Sequence, residues 1–249
     1  MFELIFVGTK EKNPRDSVFG MTPYYSAALK GNFEVCKFIV ENVDDNNPAI
    51  NDGKTPLYAA AYNGYLEICK LIIDLVDDKN PATNIGDTPL HAAAHNGHLE
   101  ICELIIKSVD DKNPANNKGK TPIFEAAYNG HLDICKVIIE LVDDKNPALN
   151  NGATPLYVAA KNGHFDICKL IIESLDDKNP LTIENLDDKN PLTNENFSPL
   201  CIATPNGHLK IYKLLMQWRK RRVAKFWQNQ RRRRAAAARR ITTCPPSFT

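Results

Sequence analysis

The dipeptide Thr-Pro recurs with a strict period, and this period constrains the fold more than any other feature. It begins, at steps of 33 residues, at Thr22, Thr55, Thr88, Thr121 and Thr154. Fixed periods of this length are typical of repeat proteins, whose units bury apolar surface only by stacking on one another. A sixth unit begins at Ser198, 44 residues later, because an 11-residue segment is duplicated within 175–196. The period predicts a stacked array.

Each unit is predicted to contain two short helices and an extended loop, here called the finger. A Gly two residues before Thr-Pro permits a turn with positive φ, Thr is a favourable N-cap, and Pro suits the first helical position. Asn-Gly then ends the first helix, and an apolar segment such as 66–72 has the spacing of a second helix. Asp-Asp-Lys-Asn-Pro ends that helix, because the residue before proline disfavours α geometry.

These features resemble the ankyrin repeat, whose start, paired alanines and Gly-His appear as Gly86–His91, Ala93–Ala94 and Gly97–His98. The resemblance covers about residues 18–216. It implies an all-α repeat solenoid of helix-turn-helix units with extended fingers, with about five full repeats. A partial repeat at 1–17 precedes them, a degenerate repeat ends the array, and 217–249 form a basic tail. His91 is the family's motif histidine and is expected to orient its turn.

The chain departs from the family pattern in two places. The Gly that usually ends the second helix is replaced in successive units by Val43, Val76, Val109, Val142 and Leu175. In the last unit Pro205 falls inside the predicted first helix, where proline costs about 3 kcal/mol. We expect this unit to act as a degenerate terminal cap.

The N-terminal segment aligns with the second helix of a preceding unit. Leu4–Phe6 lies nine residues before Asn13-Pro14, as Leu71–Ile73 lies nine residues before Asn80-Pro81. A solenoid that begins inside a unit leaves apolar surface uncovered. We therefore expect the chain to be a fragment, or a truncated gene model, of a longer array.

The cysteines and histidines follow the repeat and predict no metal site. Stacked helices lie about 8–10 Å apart, whereas a disulfide needs Cα atoms within about 7 Å. The cysteines of the second helices are therefore predicted to be buried thiols in a reducing compartment. They are Cys36, Cys69, Cys102, Cys135 and Cys168. The histidines after the Asn-Gly pairs lack zinc-finger spacing and are predicted to be structural. They are His98, His131, His164 and His208. We expect no cofactor and no enzymatic activity.

The net charge of +1 conceals a strong division along the chain. Residues 1–195 carry 18 Lys+Arg and 30 Asp+Glu, a balance of −12, whereas 196–249 carry 13 Lys+Arg and no acid, a balance of +13. No apolar run approaches the roughly 18 residues of a membrane span, and the first residues lack a secretory signal. The expected location is the cytoplasm, with the nucleus as the alternative.

The basic tail has several interpretations. Its charged residues are Arg219, Lys220, Arg221, Arg222, Lys225, Arg231, Arg232, Arg233 and Arg234. Such a run is compatible with an importin signal, with nucleic acid or anionic membrane, and with a calmodulin target that has bulky apolar anchors. The alternatives are a solvated extension and, for 231–249, a reading-frame error, since one GC-rich tract encodes Arg in one frame and Ala in another.

The residues that all units share are explained by their role in folding the unit. Partner recognition is therefore predicted at positions where the units differ. By resemblance, the variable finger tips and the residue before each Asn-Gly line one concave face. They are Phe19, Met21, Leu29, Lys54, Tyr62, Ile85, Asp87, His95, Lys118, Lys120, Tyr128 and Lys161. Exposed aromatic and apolar residues favour a binding patch. The alternative is that each packs locally on its neighbouring finger.

Three functions follow from these patterns. The first, which the ankyrin resemblance implies, is a monomeric non-catalytic scaffold or adaptor that binds another protein. The second is a nuclear or nucleic-acid-associated regulator that acts through the basic tail. The third is an enzyme whose catalytic domain lies outside this chain.

Overall fold

A computed structural model describes residues 13–175 and 198–242, with side chains described up to residue 234 in the second range. Within these ranges it contains twelve helices and no strand. The predicted all-helical repeat architecture is therefore confirmed. The chain forms two compact units, 1–150 and 151–249. Residues 1–12 of the predicted partial repeat and most of the duplicated segment, 176–197, lie outside the described residues.

Between residues 13 and 150, the first unit contains four helix pairs. Its helices are α1 (Pro23–Leu29), α2 (Phe33–Val40), α3 (Pro56–Asn63), α4 (Leu66–Ile73), α5 (Pro89–Asn96), α6 (Leu99–Ser108), α7 (Pro122–Asn129) and α8 (Leu132–Leu141). The odd-numbered helices pack against one another in sequence, and so do the even-numbered ones. The result is two helical layers, with the fingers joining each pair to the next.

In its described ranges, 151–175 and 198–242, the second unit contains one regular helix pair and one irregular pair. Its helices are α9 (Pro155–Asn162), α10 (Phe165–Leu175), α11 (Pro199–Ala203) and α12 (Leu209–Thr242). α11 packs on α9, and α12 packs on both α10 and α11. The expectation that Pro205 lies inside the first helix of this pair is wrong, because α11 ends before it. The predicted start of the tail, residue 217, lies inside the continuous helix α12.

The helix ends form as the sequence predicts, except at Thr121, whose side chain makes no capping hydrogen bond. Thr55 Oγ1 accepts a hydrogen bond from the backbone N–H of Tyr58 at 3.2 Å, and the equivalent bond recurs at Thr22, Thr88 and Thr154. In the same unit, α3 is terminated by Gly64, whose φ of 82° is accessible to glycine at little steric cost. These two caps limit the first helix to about two turns.

The cysteines and histidines have the structural roles predicted for them. The five cysteines of the second helices are free and fully buried, and burial raises the pKa of each thiol to about 12. His98 Nε2 lies 3.2 Å from the carbonyl oxygen of Tyr62 in the preceding pair, and His131 Nε2 lies 3.0 Å from that of His95. These histidines therefore tie one helix pair to the next.

Successive fingers in the first unit are hydrogen-bonded to each other at intervals of 33 residues. The backbone N–H of Asn84 donates to the carbonyl of Asp52 at 3.0 Å, and Asn84 Nδ2 donates to that of Asn51 at 3.0 Å. Asn51, Asn117 and Asn150 make the same pair of bonds to the fingers before them. A Cβ at Gly53 would lie 2.7 Å from the backbone nitrogen of Asn84, so a side chain there would block this approach.

The Asp-Asp-Lys-Asn-Pro segments form a compact cap between one pair and the next. Lys112 Nζ donates to the carbonyls of Ile106, at 2.7 Å, and Val109, at the end of α6. Asp111 Oδ1 accepts from the N–H of Asn113 at 3.0 Å, and Asn113 Oδ1 in turn accepts from an N–H at the start of α7.

Lysine therefore replaces the usual glycine stop as the group that satisfies the last carbonyls. An ammonium also suits the negative end of a helix, which offsets the unfavourable placement of the aspartates. Lys79 and Lys145 make the same contacts in their own units. Nothing in the structure explains the first aspartate of each segment.

Replacing Lys112 by Met should lower the free energy of unfolding by about 1.5 kcal/mol, because two carbonyls would no longer receive a charged donor. Urea denaturation followed by circular dichroism measures this change. Lys107→Met is the matched control, since Lys107 is 75% exposed and lies 3.8 Å from Glu103. The capping role is contradicted if the two variants are destabilised equally.

Candidate partner-binding site

The fingers and first helices of the first unit form one candidate surface, here called the finger-helix surface. It comprises the finger turns at 18–21, 50–54, 83–87 and 116–120 and the C-terminal ends of α1, α3, α5 and α7. Its predicted apolar residues include Phe19, Leu29, Tyr62, Ile85 and Tyr128, all of which are exposed. Tyr62 is 46% exposed although it lies on a helix whose preceding alanines are fully buried. This surface therefore carries apolar side chains that the described core does not bury.

An open pocket of about 210 Å³ lies on this surface between α3, α5 and α7. Its lining residues are Tyr58, Tyr62, Asp87, His91, Ala92, His95, Lys120 and Glu125. Four residues predicted from sequence, Tyr62, Asp87, His95 and Lys120, are brought together here.

The other predicted residues lie outside the pocket lining. Met21 and Lys54 are partly buried, and Lys118 is exposed on the same surface as the apolar residues named above. Lys161 is exposed on α9 in the second unit.

The carboxylate of Glu125 is the charged centre of the pocket. Its side chain is only 9% exposed, and Lys120 Nζ lies 2.6 Å from Oε1 while His95 Nδ1 lies 2.9 Å from Oε2. Burial acts to raise the pKa of Glu125, but the hydrogen bonds from His95 and Lys120 outweigh it and hold the pKa below the ordinary 4.5. Glu125 is therefore ionised at neutral pH and engages the two side chains beside it.

Asn129 and His131, which belong to the next helix pair, both lie against His95. Asn129 Nδ2 lies 3.1 Å from His95 Nδ1 and donates to the carbonyl of Glu125 at 3.0 Å. His131 Nε2 lies 3.0 Å from the carbonyl of His95. The helix pair that follows thus contacts both the side chain and the backbone of His95.

His91 connects the base of the pocket to the next finger. His91 Nε2 lies 3.0 Å from the carbonyl of Lys120, while Nδ1 accepts from the backbone N–H of Thr88 at 3.2 Å. Burial lowers the pKa of His91, so the ring is neutral at pH 7 and donates from Nε2. The predicted role of His91 in orienting its turn is confirmed.

The finger turns present charged groups in fixed positions. Asn116 Nδ2 donates to Asp87 Oδ1 at 2.6 Å, and Asn116 Oδ1 accepts from the N–H groups of Lys118 and Lys120 at 2.9 Å. One asparagine therefore links two fingers.

On the preceding finger, Lys54 and Asp52 form a similar arrangement beside Tyr58 of α3. Lys54 Nζ lies 2.8 Å from Asp52 and 5.9 Å from the centre of the Tyr58 ring. The hydrogen bond to Asp52 raises the pKa of Lys54, and burial raises the pKa of the Tyr58 hydroxyl. At neutral pH Lys54 is therefore positively charged, and the hydroxyl of Tyr58 is neutral.

Glu125 and Tyr58 are site residues that sequence reasoning misses. Glu125 occupies the position that holds Ser26, Ala59, Ala92 and Val158 in the other units. A carboxylate in place of a small or apolar residue is the signal that identifies it. Tyr58 shares its position with His91, and the sequence alone presents it only as a replacement for the family's motif histidine.

In residues 13–175 and 198–242, no group of three or more His, Cys, Asp or Glu residues is arranged to hold a metal ion. No helix in these described ranges is both long enough and apolar enough to span a membrane.

Replacing Glu125 by Gln should lower the free energy of unfolding at pH 7 by about 1–2 kcal/mol, because a neutral amide forms weaker bonds to Lys120 and His95. A carboxylate with a lowered folded-state pKa stabilises the fold above its ordinary pKa, and this contribution is lost as pH falls through the folded-state value. The difference from wild type should therefore shrink below about pH 4 in denaturant titrations.

Glu100→Gln is the control for this measurement, since Glu100 is exposed on α6. It should change stability by less than about 0.5 kcal/mol at either pH. A Glu125→Gln deficit that persists unchanged at acid pH would contradict the role of the carboxylate charge.

Comparison with known families identifies the architecture. The model of the family described as ankyrin repeats in three copies matches residues 1–83, 73–147 and 140–224. No curated protein matches the chain. Ankyrin repeats are generally protein–protein interaction modules and are typically non-catalytic. The three matches together span most of the sequence, so this chain belongs to the ankyrin repeat family.

Proposed function

We propose that the protein is a non-catalytic adaptor that binds another protein on the finger-helix surface. The observation that carries this proposal is the polar pocket around Glu125, bordered by the exposed ring of Tyr62. Hot spots of protein interfaces combine aromatic anchors with pockets that are desolvated on binding. A partner side chain that enters the pocket would contact the ring of Tyr62 and the fixed charges together.

The arrangement of charges supports recognition of a defined partner. Lys120 and Glu125 are held 2.6 Å apart before any partner binds, and Asp87 is held by Asn116. Groups that are already oriented lose little conformational entropy on association. Charged groups in fixed positions also disfavour partners with the wrong charge pattern.

The exposed apolar residues extend the surface toward the N-terminal fingers. Phe19 is 62% exposed and Ile85 is 59% exposed, both on finger turns. The backbone N–H of Asn51 donates to the carbonyl of Phe19, and that of Asn117 donates to the carbonyl of Ile85. The backbone of each tip is therefore fixed by the next finger while its side chain faces solvent, which suits a contact with a partner.

A location in a reducing compartment, the cytoplasm or the nucleus, is part of this proposal. The cysteines of the second helices are free, and burial raises the pKa of their thiols to about 12. Free thiols are typical of reducing compartments.

The double substitution of Tyr62 and Tyr128 by Ala should weaken partner binding tenfold or more, or about 1.4 kcal/mol. Both rings are 46% exposed, so the thermal unfolding midpoint should change little. Affinity capture from cell extract, with bound proteins quantified by mass spectrometry, measures the reduction for each partner.

Leu75→Ala with Leu141→Ala is the matched control. These leucines are 48% and 53% exposed and follow or end the second helices, away from the finger turns. A protein that the leucine variant captures but the tyrosine variant does not is one that binds the finger-helix surface. Equal retention of every captured protein by both variants would contradict the proposal.

A further inference from the structure

The helix α12 carries a concentration of positive charge that the proposed function does not use. Leu209–Thr242 contains no Asp or Glu. Between 220 and 234 its exposed basic side chains are those of Lys220, Arg221, Lys225, Arg231, Arg232, Arg233 and Arg234. None of these seven takes part in an ion pair within 13–175 and 198–234. This charge is available to an anionic partner.

At 231–234 the positive charge surrounds the helix on nearly all sides. Successive residues of an α-helix are rotated by about 100°, so the run Arg231–Arg234 alone covers about 300°. Lys220 and Arg221 are two further cations on different sides of the helix, closer to the repeats. A helix that lies on a membrane needs one apolar face along its length. The larger apolar side chains of 220–234, which are Val223, Phe226 and Trp227, all precede 228–234, which contains only Gln, Asn and Arg. The charge distribution therefore disfavours a lipid surface.

A helix that is basic all round matches the major groove of duplex DNA. An α-helix with its side chains is about 10–12 Å across, and the major groove of B-DNA is about 12 Å wide. Phosphates line both sides of that groove, so cations are useful on opposite faces of the helix. The major groove of duplex RNA is too narrow and deep for such an arrangement.

The length and anchoring of α12 are suited to this contact. Ile211 and Leu215 are buried in the first two turns of the helix, which packs on α10 and α11. Residues 220–234 span about 22 Å of helix, the axial length of about six base pairs. One end is thus fixed to the second unit while the basic part is exposed.

We propose that residues 220–234 of α12 bind duplex DNA by lying in the major groove. The seven exposed cations contact phosphates on both sides of the groove. Because phosphates are common to all sequences, the interaction tolerates many base sequences and depends strongly on salt.

The direct test measures binding of the full chain to a labelled duplex of about 20 base pairs of DNA by fluorescence anisotropy. Both tryptophans of the chain, Trp218 and Trp227, lie in α12, so intrinsic fluorescence provides a second signal. Replacing all four residues of Arg231–Arg234 by Gln should weaken binding at least tenfold at about 0.1 M salt. The slope of log affinity against log salt should become less steep by about 0.9 for each phosphate that is no longer neutralised. Unchanged affinity would overturn the proposal.

The matched control removes four positive charges elsewhere. Lys70, Lys107, Lys136 and Lys169 are exposed lysines of the second helices, and each pairs with an acid on its own helix. Their joint replacement by Gln should leave DNA affinity within about twofold of wild type. Equal reductions in the two quadruple variants would mean that net charge explains binding, which would overturn the proposal.

A third variant tests the helix without changing charge. Ala224 is exposed and occupies the position that holds the proline of Asp-Asp-Lys-Asn-Pro in regular units. Ala224→Pro should interrupt α12 and weaken DNA binding at least fivefold, whereas Ala224→Ser should not. Undiminished binding by the proline variant would overturn the groove geometry, since a flexible basic tail would then suffice.

Two further ligands distinguish duplex DNA from other anions. The same assay uses duplex RNA of equal length and sequence, and vesicles that contain about one third phosphatidylserine. Duplex DNA should bind at least tenfold more tightly than duplex RNA, and α12 fluorescence should change little with vesicles. Comparable affinity for either ligand would overturn the proposal.

Discussion

Hydrogen bonds between successive fingers hold the helix pairs of the first unit in register. The N–H and the side-chain amide of Asn84 both donate to the preceding finger, and Asn117 repeats these bonds one unit later. These contacts need a close backbone approach, which the glycine before each Thr-Pro permits because it adopts positive φ and has no Cβ. With the fingers fixed in this way, the side chains just before Thr-Pro recur at equivalent positions on one surface.

The candidate site arises where individual units depart from that common frame. A small residue at the position of Glu125 would complete the first helix without polar contacts, as Ala92 does one unit earlier. Glu125 instead places a nearly buried carboxylate between Lys120, from its own finger, and His95, from the preceding helix pair. The geometry of the pocket thus depends on the spacing of the repeats, while its chemistry depends on a single substitution.

The sequence predicted the parts of the fold that local chemistry determines. Glycine turns, threonine caps and buried cysteines recur at fixed positions, so each could be inferred from one unit and transferred to the others. The lysine cap was missed because Lys112 acts on carbonyls three and six residues earlier, a distance that only the folded loop reveals. Glu125 was missed because its partners come from two different units. Pro205 was misplaced because the helix before it is shorter than its counterparts.

The length of α12 is explained by the segment that replaces Asp-Asp-Lys-Asn-Pro in the last unit. Aligned with the regular units, Asp-Asp-Lys-Asn-Pro is replaced by residues 220–224, which read Lys-Arg-Arg-Val-Ala. The proline that would end the helix becomes Ala224, a strong helix former, and the aspartates, which are poor helix formers, become Lys220 and Arg221, which are good ones. The second helix of the last unit therefore continues to Thr242. One segment removes the helix stop and reverses the charge, which converts the end of a repeat array into a separate basic surface.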